Sequence, residues 1–282
     1  MENKAILYDP TRCTGCRGCQ VACKQWNQND KDKGEKTFNF GSYENPPDLS
    51  PQTWMKTTFT EIEKNGKVKW LFNRRSCMHC NDAACIMACP NGTVFRNEFG
   101  TVSHNKDTCT GCGYCVEACP FDVPRLEGNM IFGFTKMSKC GFCTQPGFNR
   151  IIEGWEPACV KTCPTSALIY GNRDELVNHG RDRVNALIAK GSNHAYLYGD
   201  KELNGLHVMY VLDESPETYG LPANPQVSPV TFAWKGVLQP LGWAAGGLAI
   251  VGLALNYLIA REAKVKRESQ SKKKEEQDGA RD

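Results

Sequence analysis

Sixteen cysteines fall in four short runs, and none lies outside them. The runs are 13-CTGCRGCQVAC-23, 77-CMHCNDAACIMACP-90, 109-CTGCGYCVEACP-120 and the split pair 140-CGFC-143 with 159-CVKTCP-164. Thiols at this density serve cross-links or metal. A disulfide framework belongs to secreted and usually small scaffolds. The start MENKAILYDPTRC lacks the roughly 7–15 apolar residues and the cleavage site of a secretory signal, so no export leader is expected. Thiols so close in sequence also have no obvious unstrained disulfide partners.

Metal is the better reading, and the spacing says which. A zinc ribbon uses two CxxC pairs about 15–20 residues apart, each giving half a tetrahedron. Here three of the four runs add a third and a fourth cysteine at once. That is the bacterial ferredoxin spacing C-x2-C-x2-C-x3-C-P, in which three thiolates hold one [4Fe–4S] cube and the fourth reaches a neighbouring one. The chain is therefore expected to hold four [4Fe–4S] clusters, with all sixteen cysteines as iron ligands. Soft thiolates suit such clusters.

The residues between the thiols fit that purpose. Thr14–Gly15, Thr110–Gly111, Gly18 and Gly113 permit a tight backbone path. The fourth cysteine is expected on a short helix, with Pro90, Pro120 and Pro164 turning the chain away after it. Lys24 stands where the first run would have proline, so that helix is expected to continue through Trp26. Val21, Ile86, Val116 and Val160 are expected to exclude water. Four residues separate Cys80 from Cys85 and fifteen separate Cys143 from Cys159, which changes loops and not the ligand count. The gaps Cys89–Cys109 and Cys119–Cys140 are similar, so spacing leaves tandem and nested pairing of the runs both open.

An α+β architecture is expected: two ferredoxin-like double-cluster modules with hairpin insertions, plus one C-terminal transmembrane helix. Residues 1–172 form the four-cluster domain, with an insertion at 27–76. The insertion starts as a polar, Gly/Pro-punctuated loop and ends as a hairpin turning at Asn65–Gly66, with Val68, Trp70 and Phe72 alternating on its return strand. A second hairpin turns around Gly100. Residues 167–171 read as a closing strand. Residues 173–228 form an extension with a packing helix, carrying Leu176, Val177, Val184, Leu187 and Ile188, and a strand at 207–212.

Residues 229–260 form the membrane segment. No charge occurs in 237–260, and twenty-four helical residues span about 36 Å, enough for a hydrocarbon core of ~30 Å. Trp234, Trp243 and Tyr257 read as interfacial anchors. Arg261, Lys264, Lys266 and Arg267 open the charged tail 261–282, whereas Asp213, Glu214, Glu217 and Lys235 precede the span. The positive-inside bias puts the tail in the cytoplasm and the cluster domain in the periplasm, exported folded on a partner's signal. Arg74–Arg75 is internal and reads as a surface or cofactor-side pair. A net charge of +3 excludes nucleic-acid binding through bulk charge. His79, His104, His179, His194 and His207 receive no role, and any haem in the bilayer needs histidines from another subunit. No nucleophile, acid–base pair or phosphate loop is found, so no catalytic site is expected.

The segments YDPTRCTGCRGCQVACKQWN, RRSCMHCNDAAC, CTGCGYCVEACPFDVPR, KCGFC and CVKTCPT, followed by HVMYVL, YGLPANP and FAWKGVLQPL, run through almost the whole chain. In them it closely resembles the β (iron–sulfur) subunits of membrane-bound, quinone-linked formate dehydrogenases of the formate dehydrogenase-N type. The resemblance implies nested ligand sets: Cys13, Cys16, Cys19 and Cys163; Cys23, Cys140, Cys143 and Cys159; Cys77, Cys80, Cys85 and Cys119; Cys89, Cys109, Cys112 and Cys115. It also implies an electron-transfer role in the cytoplasmic membrane during anaerobic respiration. The implied partners are a Mo/W-bis-pterin catalytic α subunit and a membrane γ subunit with haem b that reduces quinone. The four-run core is shared with subunits of hydrogenases and other molybdoenzymes, which makes the same relay in such a complex the alternative.

Overall fold

The computed structural model describes residues 3–29, 43–64, 66–128, 135–145, 149–229 and 238–278. The chain divides into two compact units, Met1–Thr231 and Phe232–Asp282. Both the α+β character of the first and the long apolar helix of the second agree with the sequence.

A four-stranded mixed sheet anchors the first unit. Its strands are β1 (Lys4–Tyr8), β8 (Leu168–Asn172), β9 (Tyr196–Tyr198) and β10 (Val208–Leu212), in the order β8-β1-β10-β9. β1 runs antiparallel to β8 and parallel to β10. Every residue of β10 is buried, which is why VMYVL has no polar alternation. On β1 the two faces separate with the strand's period of two. Ala5 and Leu7 meet Leu176, Val177 and Leu187 of helix α5 (Arg173–Ala189), while Ile6 and Tyr8 join the core that contains cysteines. Asn172 caps α5, its side-chain oxygen accepting from the Asp174 N–H at 3.0 Å. Val184 is half-buried and Ile188 exposed, so the helix's apolar stripe is narrower than its sequence suggests. Residues 173–228 thus supply two of the sheet's four strands and the helix on its back.

Three hairpins carry the loops. β2 (Met55–Lys64) and β3 (Lys67–Ser76) pair in full register. Gly66 sits at the turn with φ +69°, while Asn65 and residues 30–42 of the insertion lie outside the described residues. Val68 and Trp70 face outward, and Phe72 on the same face covers Gly15. β4 (Val94–Arg96) and β5 (Val102–His104) flank Gly100 as expected. The third, β6 (Arg125–Glu127) with β7 (Lys136–Ser138), has strands too short for a periodic signal.

Each cysteine run contributes one short helix: α1 (Gly18–Trp26), α2 (Ala84–Ala88), α3 (Tyr114–Glu117) and α4 (Ala158–Lys161). α1 packs on α4 and α2 on α3. The fourth cysteine lies on its helix only in the first run. Cys89, Cys119 and Cys163 follow the helix end, because the residue before proline is pushed out of the α region. Cys89 accordingly has φ −75° and ψ 115°. Lys24 imposes no such limit, and α1 runs on to Trp26.

In the second unit, α6 (Gln239–Asp278) is a single forty-residue helix with Pro240 in its first turn, where a missing N–H costs nothing. Pro240–Arg267 is long and apolar enough to cross a membrane, and its apolar stretch is unburied. The helix does not break at Arg261. Glu262 and Lys266 pair at 2.7 Å across one turn of it. Trp243 and Tyr257 are exposed, like the helix residues around them, whereas Trp234 and Lys235 lie outside the described residues.

Candidate metal centres

The cysteines gather in four groups, and sequence order does not set the membership. Cys13, Cys16, Cys19 and Cys163 line one small cavity with Tyr8, Thr57 and Arg74. The Cys23 thiol feels the charge of Cys140, Cys143 and Cys159. Cys80 has Cys77, Cys85 and Cys119 as its neighbours, and Cys115 has Cys112, Cys109 and Cys89. The first and last runs thus mix, as do the second and third, which is the packing of α1 on α4 and α2 on α3 seen in side chains.

The groups also follow one another. Cys19 has Cys159 near it, Cys140 has Cys77, and Cys85 has Cys115. Those neighbours order the groups in succession, and the first and last carry the exposed cysteines Cys16 and Cys112. In the inner groups Cys23, Cys77, Cys140, Cys143 and Cys159 are buried and Cys80, Cys85 and Cys119 half-buried, and no inner thiol is exposed; in the last group Cys89 and Cys115 are buried as well.

Backbone geometry at each group is set by left-handed residues. Gly15 (φ +64°), Gly111 (φ +72°) and Gly113 (φ +81°) hold the tight turns of the first and third runs. A Cβ on Gly15 would come within 2.9 Å of the Phe72 ring. In the last run the same conformation falls on Phe142 (φ +61°) and Cys143 (φ +57°), side chains that rarely adopt it. Several donors point at sulfur. The N–H groups of Gly15, Met137 and Phe142 approach Cys13, Cys109 and Cys140 at 3.4, 3.3 and 3.4 Å. Asn27 Nδ2 lies 3.6 Å from Cys23 Sγ, and Arg74 Nη2 lies 3.7 Å from Cys159 Sγ. Val160 is buried near them, Ile86 and Val116 are half-buried, and Val21 is exposed and shields nothing.

Burial and mutual repulsion make these thiols poor acids on their own. Burial pushes Cys19 and Cys140 up to about 11, and Cys85, Cys115 and Cys143 up to about 12, with neighbouring cysteines adding to each. Cys89 moves the other way. Burial raises it, but the backbone N–H groups of Val94, Asn91 and Thr93 outweigh that and lower it. Four thiolates in such a group need a strongly cationic occupant, and loading it releases their protons. All sixteen cysteines are free, and no three His, Cys, Asp or Glu side chains among the described residues converge as the ligands of a single ion would. Groups of four thiols suit a polynuclear cluster whose corners are ligated separately.

Arg74 and Arg75, adjacent in sequence, separate completely. Arg75 reaches the surface carboxylates of Asp48 and Asp122 at 2.6 and 2.8 Å, whereas Arg74 turns inward to the thiols. His207 is held in place by the fold: its Nδ1 lies 2.7 Å from the Lys4 carbonyl and its Nε2 3.1 Å from Asn81 Oδ1.

Known proteins resemble this chain along most of its length. Two family models described as "4Fe-4S dicluster domain" match residues 12–93 and 68–173, so the core holds four [4Fe–4S] clusters. A third, "Formate dehydrogenase N, transmembrane", matches residues 227–270. The chain is 42% identical over 261 residues to the "Formate dehydrogenase, nitrate-inducible, iron-sulfur subunit" of Escherichia coli (strain K12), covering 90% of this chain and 84% of that one. It is 40% identical to the "Formate dehydrogenase iron-sulfur subunit" of Haemophilus influenzae, over 89% of this chain and 78% of the relative. The "Hydrogenase-2 operon protein HybA" of Escherichia coli O157:H7 is more distant, 31% identical over 87% of this chain and 83% of that one. With the cluster core and the terminal span both matched, and identity of this order sustained along nearly the whole length, the chain belongs to the family of formate dehydrogenase iron–sulfur subunits.

Proposed function

We propose that this chain takes electrons from a formate-oxidising partner and delivers them to a quinone-reducing partner in the membrane. The observation that carries this is the succession of four thiol groups with an exposed cysteine in the first and in the last, on a chain that also bears a membrane helix. A bound [4Fe–4S] cluster supplies reversible one-electron chemistry. The chain's own residues set spacing, shield the inner groups from water and leave the two ends open to partners. We assign one cluster to Cys13, Cys16, Cys19 and Cys163, a second to Cys23, Cys140, Cys143 and Cys159, a third to Cys77, Cys80, Cys85 and Cys119, and a fourth to Cys89, Cys109, Cys112 and Cys115. The packing of α1 on α4 and of α2 on α3 supports nested over tandem sets.

The donor partner in this reading is a Mo/W-bis-pterin catalytic subunit, and the acceptor is a haem b membrane subunit. The relatives named for formate dehydrogenase support that choice over a hydrogenase. Pulled from native membranes by a tag on this chain, the complex should contain a large pterin-bearing subunit and reduce a quinone analogue with formate. Activity with hydrogen and none with formate would move the chain to a hydrogenase complex.

The tail faces the cytoplasm in this proposal, with the cluster core on the opposite side. The basic residues Arg261, Lys264, Lys266 and Arg267 next to the span support it. A protease added to spheroplasts should leave a C-terminal epitope intact until the membrane is opened. Immediate loss of the epitope would reverse the orientation.

A further inference from the structure

Three lysine or arginine side chains are almost wholly buried among the described residues: Lys56 (2% exposed), Arg74 (3%) and Lys139 (1%). Lys56 is neutralised in the ordinary way, by the carboxylate of Glu44. The other two have no carboxylate. Arg74 donates through Nη1 to Ser76 Oγ and through Nη2 to Cys159 Sγ at 3.7 Å, and its Nε is buried with no partner at all. Lys139 Nζ donates to the Val102 carbonyl at 2.6 Å and the Cys140 carbonyl at 2.9 Å. A guanidinium stays charged in a protein, and burying a charge without a counter-ion is strongly unfavourable.

Thiols stand beside both cations, together with Tyr210 at Arg74 and His79 and His104 at Lys139. Arg74 acts on Cys159, Cys140 and Cys19, and Lys139 on Cys85 and Cys119. Of these, Cys159 and Cys140 belong to one inner group and Cys85 and Cys119 to the other, while Cys19 belongs to the end group whose cavity Arg74 also lines; the closest contact of Arg74 to sulfur is with Cys159 of the inner group. The end groups have an exposed cysteine each, so water helps to stabilise an added electron there. The inner groups lack that help, and burial alone would make them harder to reduce than their neighbours.

We propose that Arg74 and Lys139 are fixed counter-charges for the two inner clusters, each raising the reduction potential of one so that burial does not open an energetic step in the middle of the relay. This rests on the ligand sets assigned above. No proton moves and no bond changes. The cation favours the electron-added state of the cluster beside it by plain Coulomb attraction in a dry interior. Arg74 serves the group of Cys23, Cys140, Cys143 and Cys159, and Lys139, which also bonds to the Cys140 carbonyl, sits where that group meets the group of Cys77, Cys80, Cys85 and Cys119 and serves the latter.

The test is a dye-mediated redox titration of the intact complex, read by low-temperature electron paramagnetic resonance with iron counted alongside. In Arg74→Gln one cluster signal should move to lower potential with iron unchanged. At the wild-type midpoint its reduced-to-oxidised ratio should fall about tenfold, which is about 59 mV for one electron. The signal that moves should be the one that Cys143→Ser removes. Arg74→Lys, which keeps the charge, should stay near the wild-type potential, and it remains informative if the Gln variant loses iron. Lys139→Met should move a different signal. Unmoved potentials in a fully loaded Arg74→Gln complex would overturn the proposal, as would a fall in Arg74→Lys equal to that in Arg74→Gln. A shift confined to a signal that Cys143→Ser leaves intact would instead show that the ligand sets are wrong and that Arg74 serves another group.

Discussion

Cys140→Ser is expected to stop formate-driven quinone reduction while leaving the partner's own oxidation of formate by a soluble dye intact. Cys140 lies in an inner group, with Cys159 of that group and Cys77 of the next both near it. A serine oxygen is a harder ligand than thiolate and suits iron–sulfur clusters poorly. The cluster should be lost or converted, with iron falling by up to about a quarter if four equivalent clusters are present. Removing one inner station breaks the line, so quinone-linked turnover should drop roughly a hundredfold or more, beyond the usual cost of losing an outer-shell partner. The two assays together with the iron count check this. Quinone-linked turnover at the wild-type rate would count against an obligatory linear path.

Gly111→Val should be the most damaging change that touches no ligand. Gly111 has φ +72°, where a branched residue is strained by about 1–3 kcal/mol. A Cβ there would also overlap the hydroxyl and carbonyl oxygens of Thr135, and 2.9 Å would separate it from the carbonyl carbon. Thr135 cannot step aside cheaply, since its hydroxyl donates to the Gly111 carbonyl at 3.0 Å and its backbone leads into β7. Overpacking of this kind costs about 1–3 kcal/mol more. The turn between Cys109 and Cys112 should open, with loss of one cluster and a lower melting temperature. Gly66→Ala supplies the contrast. Gly66 is also left-handed (φ +69°), but a Cβ there meets nothing within 4 Å, so it should show only the backbone strain and full iron content. Equal losses in the two variants would mean that crowding at Thr135 is unimportant.

These consequences differ in how far the sequence foretold them. The four runs were legible because thiol spacing is a local, chemical signal. So was the continuation of α1 past Cys23, since proline or its absence decides locally whether a helix goes on. The hairpin at Gly66 and the span beginning near Pro240 were legible for the same reason, each carrying its own periodicity or length. The parallel pairing of Ile6 with Val208 was not, because nothing near either strand encodes a partner some two hundred residues away. Val21 misled: it lies among cysteines, yet α1 turns it outward. Arg74 and Arg75 show the same limit more sharply. Adjacent residues of one strand point to opposite faces, so one becomes a surface ion pair and the other a buried cation among thiols. Lys139 gave no signal at all, since a lysine before a cysteine looks like any solvated charge.

The most direct test of the relay is to add formate, without oxygen or quinone, to the complex purified through this chain and to follow its cluster signals at low temperature. The account predicts that formate brings in all four [4Fe–4S] signals of this chain whose potentials it can reach. It also predicts that Cys140→Ser leaves those on the far side of the break oxidised. Formate that reduces none of them in the wild-type complex, or reduces the same signals on both sides of the break in Cys140→Ser, would contradict it.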